Sequence, residues 1–207
     1  MNLKCVLFAL GLLLLSQASI SQNFKFGAQI GINGSSEILS KAPDQLGRTT
    51  YQPALTFNIN AHIDYILSKR WCIAIEPGFI QKGTRVSFSA NSSRLNAYYV
   101  QMPVLANFHI LDKLYVSAGP ELSYLVAANN RTNGNTYNNI ASYENRFDLG
   151  ALVGISYEIH KNLDLGLRYG QSFIPNSRIF WTNEFGDMLA IYKTYHHYLQ
   201  LLLRVKF

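Results

Sequence analysis

Apolar residues recur at every second position through most of this chain, and a period of two places them on one face of an extended strand and no single face of a helix. In the first such run Phe24, Phe26, Ala28, Ile30 and Ile32 share one face, and Lys25, Gly27, Gln29, Gly31 and Asn33 share the other. The second, from about Ala54 to Leu67, sets Leu55, Phe57, Ile59, Ala61, Ile63, Tyr65 and Leu67 against Thr56, Asn58, Asn60, His62 and Asp64. Further runs cover Trp71 to about Val86, Ala97 to Ile110, Leu114 to Val126, Arg146 to Ile159, Leu163 to Ser172 and Thr194 to Phe207, giving eight candidate strands. Beyond residue 22 no segment sustains a 3.6-residue period or reaches the roughly 20 apolar residues of a membrane helix. The fold class predicted is all-β, an eight-stranded antiparallel up-and-down barrel.

The connections carry a second pattern. Ser68-Lys69-Arg70, Leu111-Asp112-Lys113 and His160-Lys161-Asn162 read as tight turns, whereas 34–52, 87–96, 127–145 and 173–193 read as long polar loops. Long and short strictly alternate, as in outer-membrane barrels with short periplasmic turns and long extracellular loops. With an even strand number both chain ends then fall on the periplasmic side. The third long loop, Asn129-Asn130-Arg131-Thr132-Asn133-Gly134-Asn135, reads as too polar and glycine-rich to pack, and therefore as mobile.

Ahead of the strands, Met1-Asn2-Leu3-Lys4 sets one positive charge before the apolar run Val6–Leu15, and Ser19-Ile20-Ser21 follows with small residues. Residues 1–21 read as a cleaved signal peptide and 22–207 as the barrel domain. Cys5 lies in the segment to be removed, which leaves Cys72 alone and no intramolecular disulfide to form. The formal net charge is +6, but the Lys and Arg residues are scattered singly, which argues against a nucleic-acid partner and for surface and lumen charges that attract anionic lipid.

Alternation alone leaves two barrels open. In a soluble lipid-binding barrel of the lipocalin kind the apolar face would line a ligand cavity, and in a membrane barrel it would face lipid. The second is favoured by a glycine-rich polar face suited to a crowded lumen and by two aromatic bands. Tyr65, Trp71, Phe108, Tyr157 and Phe207 sit near the short-turn ends, and Tyr98, Tyr124, Phe147 and Tyr195 near the long-loop ends.

The strands also resemble a known family. Tyr98-Tyr99-Val100-Gln101-Met102-Pro103-Val104-Leu105 is similar to a segment of the Bacteroidota outer-membrane β-barrel family, which includes PorT-like proteins and is akin to the small OmpA/OmpX-like barrels. Leu114–Glu121 and Phe147–Gly154 resemble its next two strands, in order. The resemblance implies an outer-membrane location and no catalytic motif. It also implies, for PorT-like members, an association with protein secretion and surface export, and a terminal strand ending in Phe207 that barrel-assembly machinery reads.

An eight-stranded barrel is just wide enough for side chains to fill. By strand parity Glu76, Glu121, Asp148, Glu158, Arg168, Arg204 and Lys206 point inward with Asn58, Asn60 and Gln200, and a network joining Glu76 and Glu121 to Arg168 and Arg204 is expected as structural filling. The adjacent His196 and His197 point to opposite faces and cannot share a metal, and no cofactor motif occurs. His196 faces inward, where it is a candidate general base with Ser172 or Ser123 as a distant nucleophile. The reading is a non-enzymatic outer-membrane barrel with a filled lumen and loops for envelope or surface interaction. Outer-membrane lipid, the assembly machinery and envelope or secretion proteins are its expected partners. A lipid-modifying enzyme and a narrow channel are the alternatives.

Overall fold

The computed structural model describes residues 23–40, 49–88, 91–132, 134–182 and 188–207, so the expected signal peptide lies outside the described residues. The alternating runs become the staves of a closed ring. These are β1 (Phe24–Leu39), β2 (Thr49–Ile66), a third stave made of β3 (Trp71–Ile75) and β4 (Gly78–Phe88), then β5 (Asn91–Leu111) and β6 (Leu114–Thr132). After the short hairpin strand β7 (Asn135–Asn138) come β8 (Phe147–His160), β9 (Leu163–Ser172), β10 (Ser177–Thr182) and β11 (Met188–Lys206). Neighbouring staves pair antiparallel, and β1 pairs with both β2 and β11, with Gly31 flanked by Asn58 and Leu202. The ring of eight staves is thus closed, and closure leaves no edge to aggregate.

The third stave is broken at Glu76-Pro77 because proline has no amide hydrogen for a ladder. Its neighbours remain bonded across the break. Ala61 N donates to the Pro77 carbonyl at 2.9 Å, and Glu76 N donates to the Pro103 carbonyl at 3.0 Å.

The burial pattern settles which face points out. Along β2 the apolar Leu55 is 65% exposed and its polar neighbour Thr56 only 3%, and Ile30, Ile32, Phe57, Ile59, Leu199 and Leu201 are likewise exposed. The interior is polar and the exterior apolar, the reverse of a lipocalin. In water such a surface would be an aggregation patch, whereas in hydrocarbon it is solvated and the closed ring of ladders pairs the strand backbones with one another.

The long connections differ from expectation. Of 34–52, β1 takes residues up to Leu39 and β2 those from Thr49, and of 87–96 only residues 89–90 lie between β4 and β5. The third loop forms the β6–β7 hairpin and a single 3₁₀ turn, Ile140–Ser142, where Asn139 N bonds the Ala128 carbonyl at 3.0 Å. The fourth folds β10 onto β11. Strands above the bilayer have water on their faces, so polar residues build ladders as readily as apolar ones do below. Ser93 meets Thr132 at 2.7 Å and Asn96 donates to Asn129 at 3.1 Å.

Two register shifts shape the upper barrel. Between β5 and β6, Tyr98 faces Ala127 and Tyr99 faces Leu125, so Val126 is the extra residue of a bulge. Between β2 and β4 the pairing jumps at Pro53/Asn58, and there Ile80 to Thr84 are all buried, where plain alternation would bury every second residue.

Candidate functional site: the lumen and its two ends

Glu76 occupies the centre of the lower lumen. Its carboxylate accepts two hydrogen bonds from Arg168 (2.5 and 2.8 Å), one from Arg204 (2.8 Å) and one from the Gln29 amide (2.6 Å), and His62 Nδ1 lies 3.0 Å away. The stave break serves this arrangement, since the unpaired Glu76 carbonyl accepts the Asn60 amide at 2.8 Å. Arg204 also donates to Gln29 Oε1 (3.0 Å) and to the Tyr115 hydroxyl (2.5 Å), and that hydroxyl donates to Asp164 at 2.8 Å. Lys206 bonds Asp164 at 2.8 Å and Glu158 at 2.6 Å. His62 Nε2 lies 2.9 Å from Asp64. Buried charge of both signs is thereby paired and hydrogen-bonded, the condition for keeping ions in a dry interior.

Glu121 does not join this set, contrary to the expected network. It lies opposite Gly150 of β8, whereas Arg168 lies opposite Gly154, four residues or about 13 Å away along that strand. Glu121 belongs to a second cluster around Lys82, whose ammonium bonds Glu121 at 2.8 Å and Asp148 at 2.9 Å. Ser123 donates to Glu121 (3.0 Å), Ser172 to Asp148 (2.7 Å), and the Tyr198 hydroxyl to Glu121. The ammonium also stands 5.0 Å from the Tyr99 ring and 5.5 Å from the Tyr198 ring, within cation–π range. Lys82 shares the inward parity of Glu76 on the same stave, and that parity is the sequence signal for it.

Above Lys82 the lumen is capped. His196 Nε2 lies 3.1 Å from the Asn176 amide, which donates to Glu37 at 2.8 Å, and the Tyr143 ring of the β7–β8 connection stacks on the imidazole at 6.4 Å. Burial, with Glu37 nearby, pushes the Tyr143 phenol above its ordinary range. Ser172 and Ser123 donate to carboxylates and not to His196, so no nucleophile–base pair forms among these residues. Among the described residues no group of three His, Cys, Asp or Glu is disposed to hold a metal ion. Asn58, Asn60 and Gln200 are buried in the lumen, and Cys72 is buried with Sγ 3.7 Å from Asp64.

At the short-turn end the lumen widens into a cavity of about 440 Å³ lined by Asp64, Cys72, Tyr115, Asp164 and Lys206 beside the turn residues 68–70. Around that end Tyr65, Trp71, Tyr157 and Phe207 are exposed, with Phe108 half-buried against Trp71 at 4.8 Å between ring centres. At the other end Tyr124 and Phe147 are exposed cross-strand partners, with Tyr98 and Tyr195 half-buried.

A closed antiparallel ring with an apolar belt, aromatic girdles and a polar, ion-paired interior defines a transmembrane β-barrel of the bacterial outer membrane. Residues 16–178 match the family model described as "Outer membrane protein beta-barrel domain", and the chain belongs to that family. Among solved structures, the Neisserial surface protein A has a TM-score of 0.53 at 17% identity, over 88% of this chain and 97% of that one. The attachment invasion locus protein Ail of Yersinia pestis, solved with the heparin analogue sucrose octasulfate, has a TM-score of 0.48 at 13% identity, over 90% and 100%. OprG of Pseudomonas aeruginosa has 0.46 at 10%, over 89% and 95%. At these identities the likeness is one of fold. No curated protein matches the sequence.

Proposed function

We propose that this is a non-enzymatic barrel, plugged by its own side chains, whose outward hairpins β4–β5, β6–β7 and β10–β11 meet a partner in the envelope or at the cell surface. The observation that carries this reading is the pair of stacked ion clusters spanning the lumen, with Glu76, Lys82, Arg168 and Arg204 all at most 1% exposed. In this reading the clusters are structural filling. The serines bonded to carboxylates, and the His196 ring engaged by Asn176, support the absence of chemistry in the lumen.

Planar-bilayer recordings on the refolded protein test the plug, with only rare, small current steps expected. Large stable openings would overturn it. For the enzyme alternative, His196→Ala would alter the lipid profile of the host envelope, and an unchanged profile is expected.

The resemblance of Tyr98–Leu105 supports a place among PorT-like barrels of Bacteroidota, in which case the partner is a secretion component. Deleting the gene and measuring surface-exported proteins tests this, and unchanged export would remove it. The alternating terminal strand from Tyr195 to Phe207 fits recognition by barrel-assembly machinery, and removal of Phe207 is expected to slow membrane insertion.

A further inference from the structure

Glu37 of β1 is a buried carboxylate that meets no lysine or arginine among the described residues. Deeper in the lumen Glu76 has Arg168 and Arg204, Glu121 and Asp148 share Lys82, and Asp164 has Lys206. Glu37 has instead one bond from the Asn176 amide at 2.8 Å, with His196 Nδ1 3.8 Å away and beyond bonding range. Asn176 also ties together the cap above it. Its backbone N donates to the Thr194 carbonyl and its own carbonyl accepts Glu144 N, each at 2.9 Å. Asn145 donates to the Pro175 carbonyl at 3.0 Å, and Glu144 pairs with Arg178 on the outer side. The β7–β8 connection is thus strapped to the β9–β10 connection, with Tyr143 laid over the His196 ring. None of residues 139–146 is fully buried, which puts this strap in the part of the fold that opens most easily.

Glu37 lies in the outer mouth. A tilted strand crosses the hydrocarbon in roughly 9–11 residues, and β1 begins at Phe24, packed on Tyr65 of the lower aromatic band at 5.0 Å. The spanning part therefore ends near residue 34, roughly, and Glu37 stands beyond it. Burial there raises the Glu37 carboxyl to about 7, against the lowering effect of the Asn176 bond. Burial and then the Lys82 charge hold His196 down to about 3, so the imidazole stays neutral where Glu37 titrates. The other titratable groups that face Glu37 are the phenols of Tyr51 on β2, Tyr99 on β5 and Tyr143 in the strap. Lys82 on β4, Asp148 on β8 and His197 on β11 act on the imidazole.

We propose that the strap of residues 139–146 is an acid-held lid over the outer mouth, closed while Glu37 carries its proton and released when Glu37 ionises. A neutral Glu37 suits an enclosure that offers one amide donor. An ionised one does not, because a buried charge needs a cation or several donors, and it regains water when the strap rises. The closed form therefore holds the proton more tightly than the open one, where an exposed glutamate titrates at about 4.3. Between that value and about 7 the closed-to-open ratio falls about tenfold per pH unit, and above it the ratio is level.

The test is electron paramagnetic resonance of a nitroxide attached through Ser142→Cys to the full barrel carrying Cys72→Ser, refolded in phosphatidylcholine vesicles. Spectra are taken from about pH 4 to about pH 8, across the window set by the two protonation states. This parent is expected to give a slow spectrum at the acid end and a mobile component that grows until about pH 7 and is then level. Glu37→Gln, neutral at every pH, keeps the slow spectrum throughout. Glu37→Leu serves in its place where Glu37→Gln does not fold, folding being read from the gel shift between unboiled and boiled samples. Tyr143→Ala shows the mobile component at every pH. A parent spectrum that does not change with pH, an unchanged transition in the uncharged Glu37 variant, or a Tyr143→Ala spectrum as slow as the parent's in acid overturns the proposal. Such a failure leaves the plugged-lumen reading standing, because the Lys82 cluster lies beneath the strap and the bilayer recordings test it separately.

Discussion

Arg168 and Glu76, 92 residues apart in sequence, face each other across the lumen in a two-pronged ion pair with contacts of 2.5 and 2.8 Å. The pair ties β9 to the broken third stave, where Pro77 has already removed a ladder bond. It thereby braces the wall beside that break.

Removing Arg168 while keeping its bulk leaves the buried Glu76 carboxylate with half its cationic partners. Arg168→Met is expected to cost about 3–5 kcal/mol, the penalty for breaking a buried ion pair from one side. Urea unfolding followed by tryptophan fluorescence measures it, and a cost below 1 kcal/mol would mean that water or Arg204 replaces the lost partner.

Lys82 holds two carboxylates, Glu121 and Asp148, that would otherwise repel each other. Lys82→Met is therefore expected to destabilise the barrel at neutral pH, and adding Glu121→Gln and Asp148→Asn to recover much of the loss. A triple variant no more stable than the single one, by the same unfolding assay, would contradict the cluster.

Gly170 makes room for the Tyr198 ring. A Cβ built at Gly170 would overlap that ring, so Gly170→Ala is expected to cost about 1–3 kcal/mol through overpacking. Tyr198→Leu should relieve the clash, and a double-mutant cycle would then show the pair costing less than the sum of its parts.

Depth in the bilayer separates two apolar-to-charged substitutions at equally exposed positions. Leu201, mid-strand in β11, is 50% exposed and Tyr137, in the β6–β7 hairpin, is 56% exposed. Leu201→Arg is expected to cost about 2–4 kcal/mol, as for arginine near the bilayer midplane. Tyr137→Arg should change stability by less than about 0.5 kcal/mol. Equal costs in reversible unfolding from lipid vesicles would place the membrane elsewhere on the barrel.

Much of the architecture is legible in the residues because a period of two is a local property. Leu55 and Thr56 are assigned to opposite faces by adjacency alone, and the inward parity of Glu76, Arg168 and Arg204 follows in the same way. The polar connections were less legible. Asn96, Asn129, Ser93 and Thr132 read as loop because polar residues usually mark turns, yet above the bilayer they pair as strand, where no apolar face is needed to hold a hairpin.

Residue alternation, turn spacing and the aromatic bands determine, without tertiary information, an antiparallel barrel of eight staves and the identity of its two faces. Only the closed structure decides which inward charges meet. Whether Arg168 finds Glu76 or Glu121 depends on height along the barrel, and that height is set by the stagger of the staves, the bulge at Val126 and the break at Pro77. These are sums over many strand pairs around a ring. No local pattern records them, so Lys82 rather than an arginine neutralises Glu121.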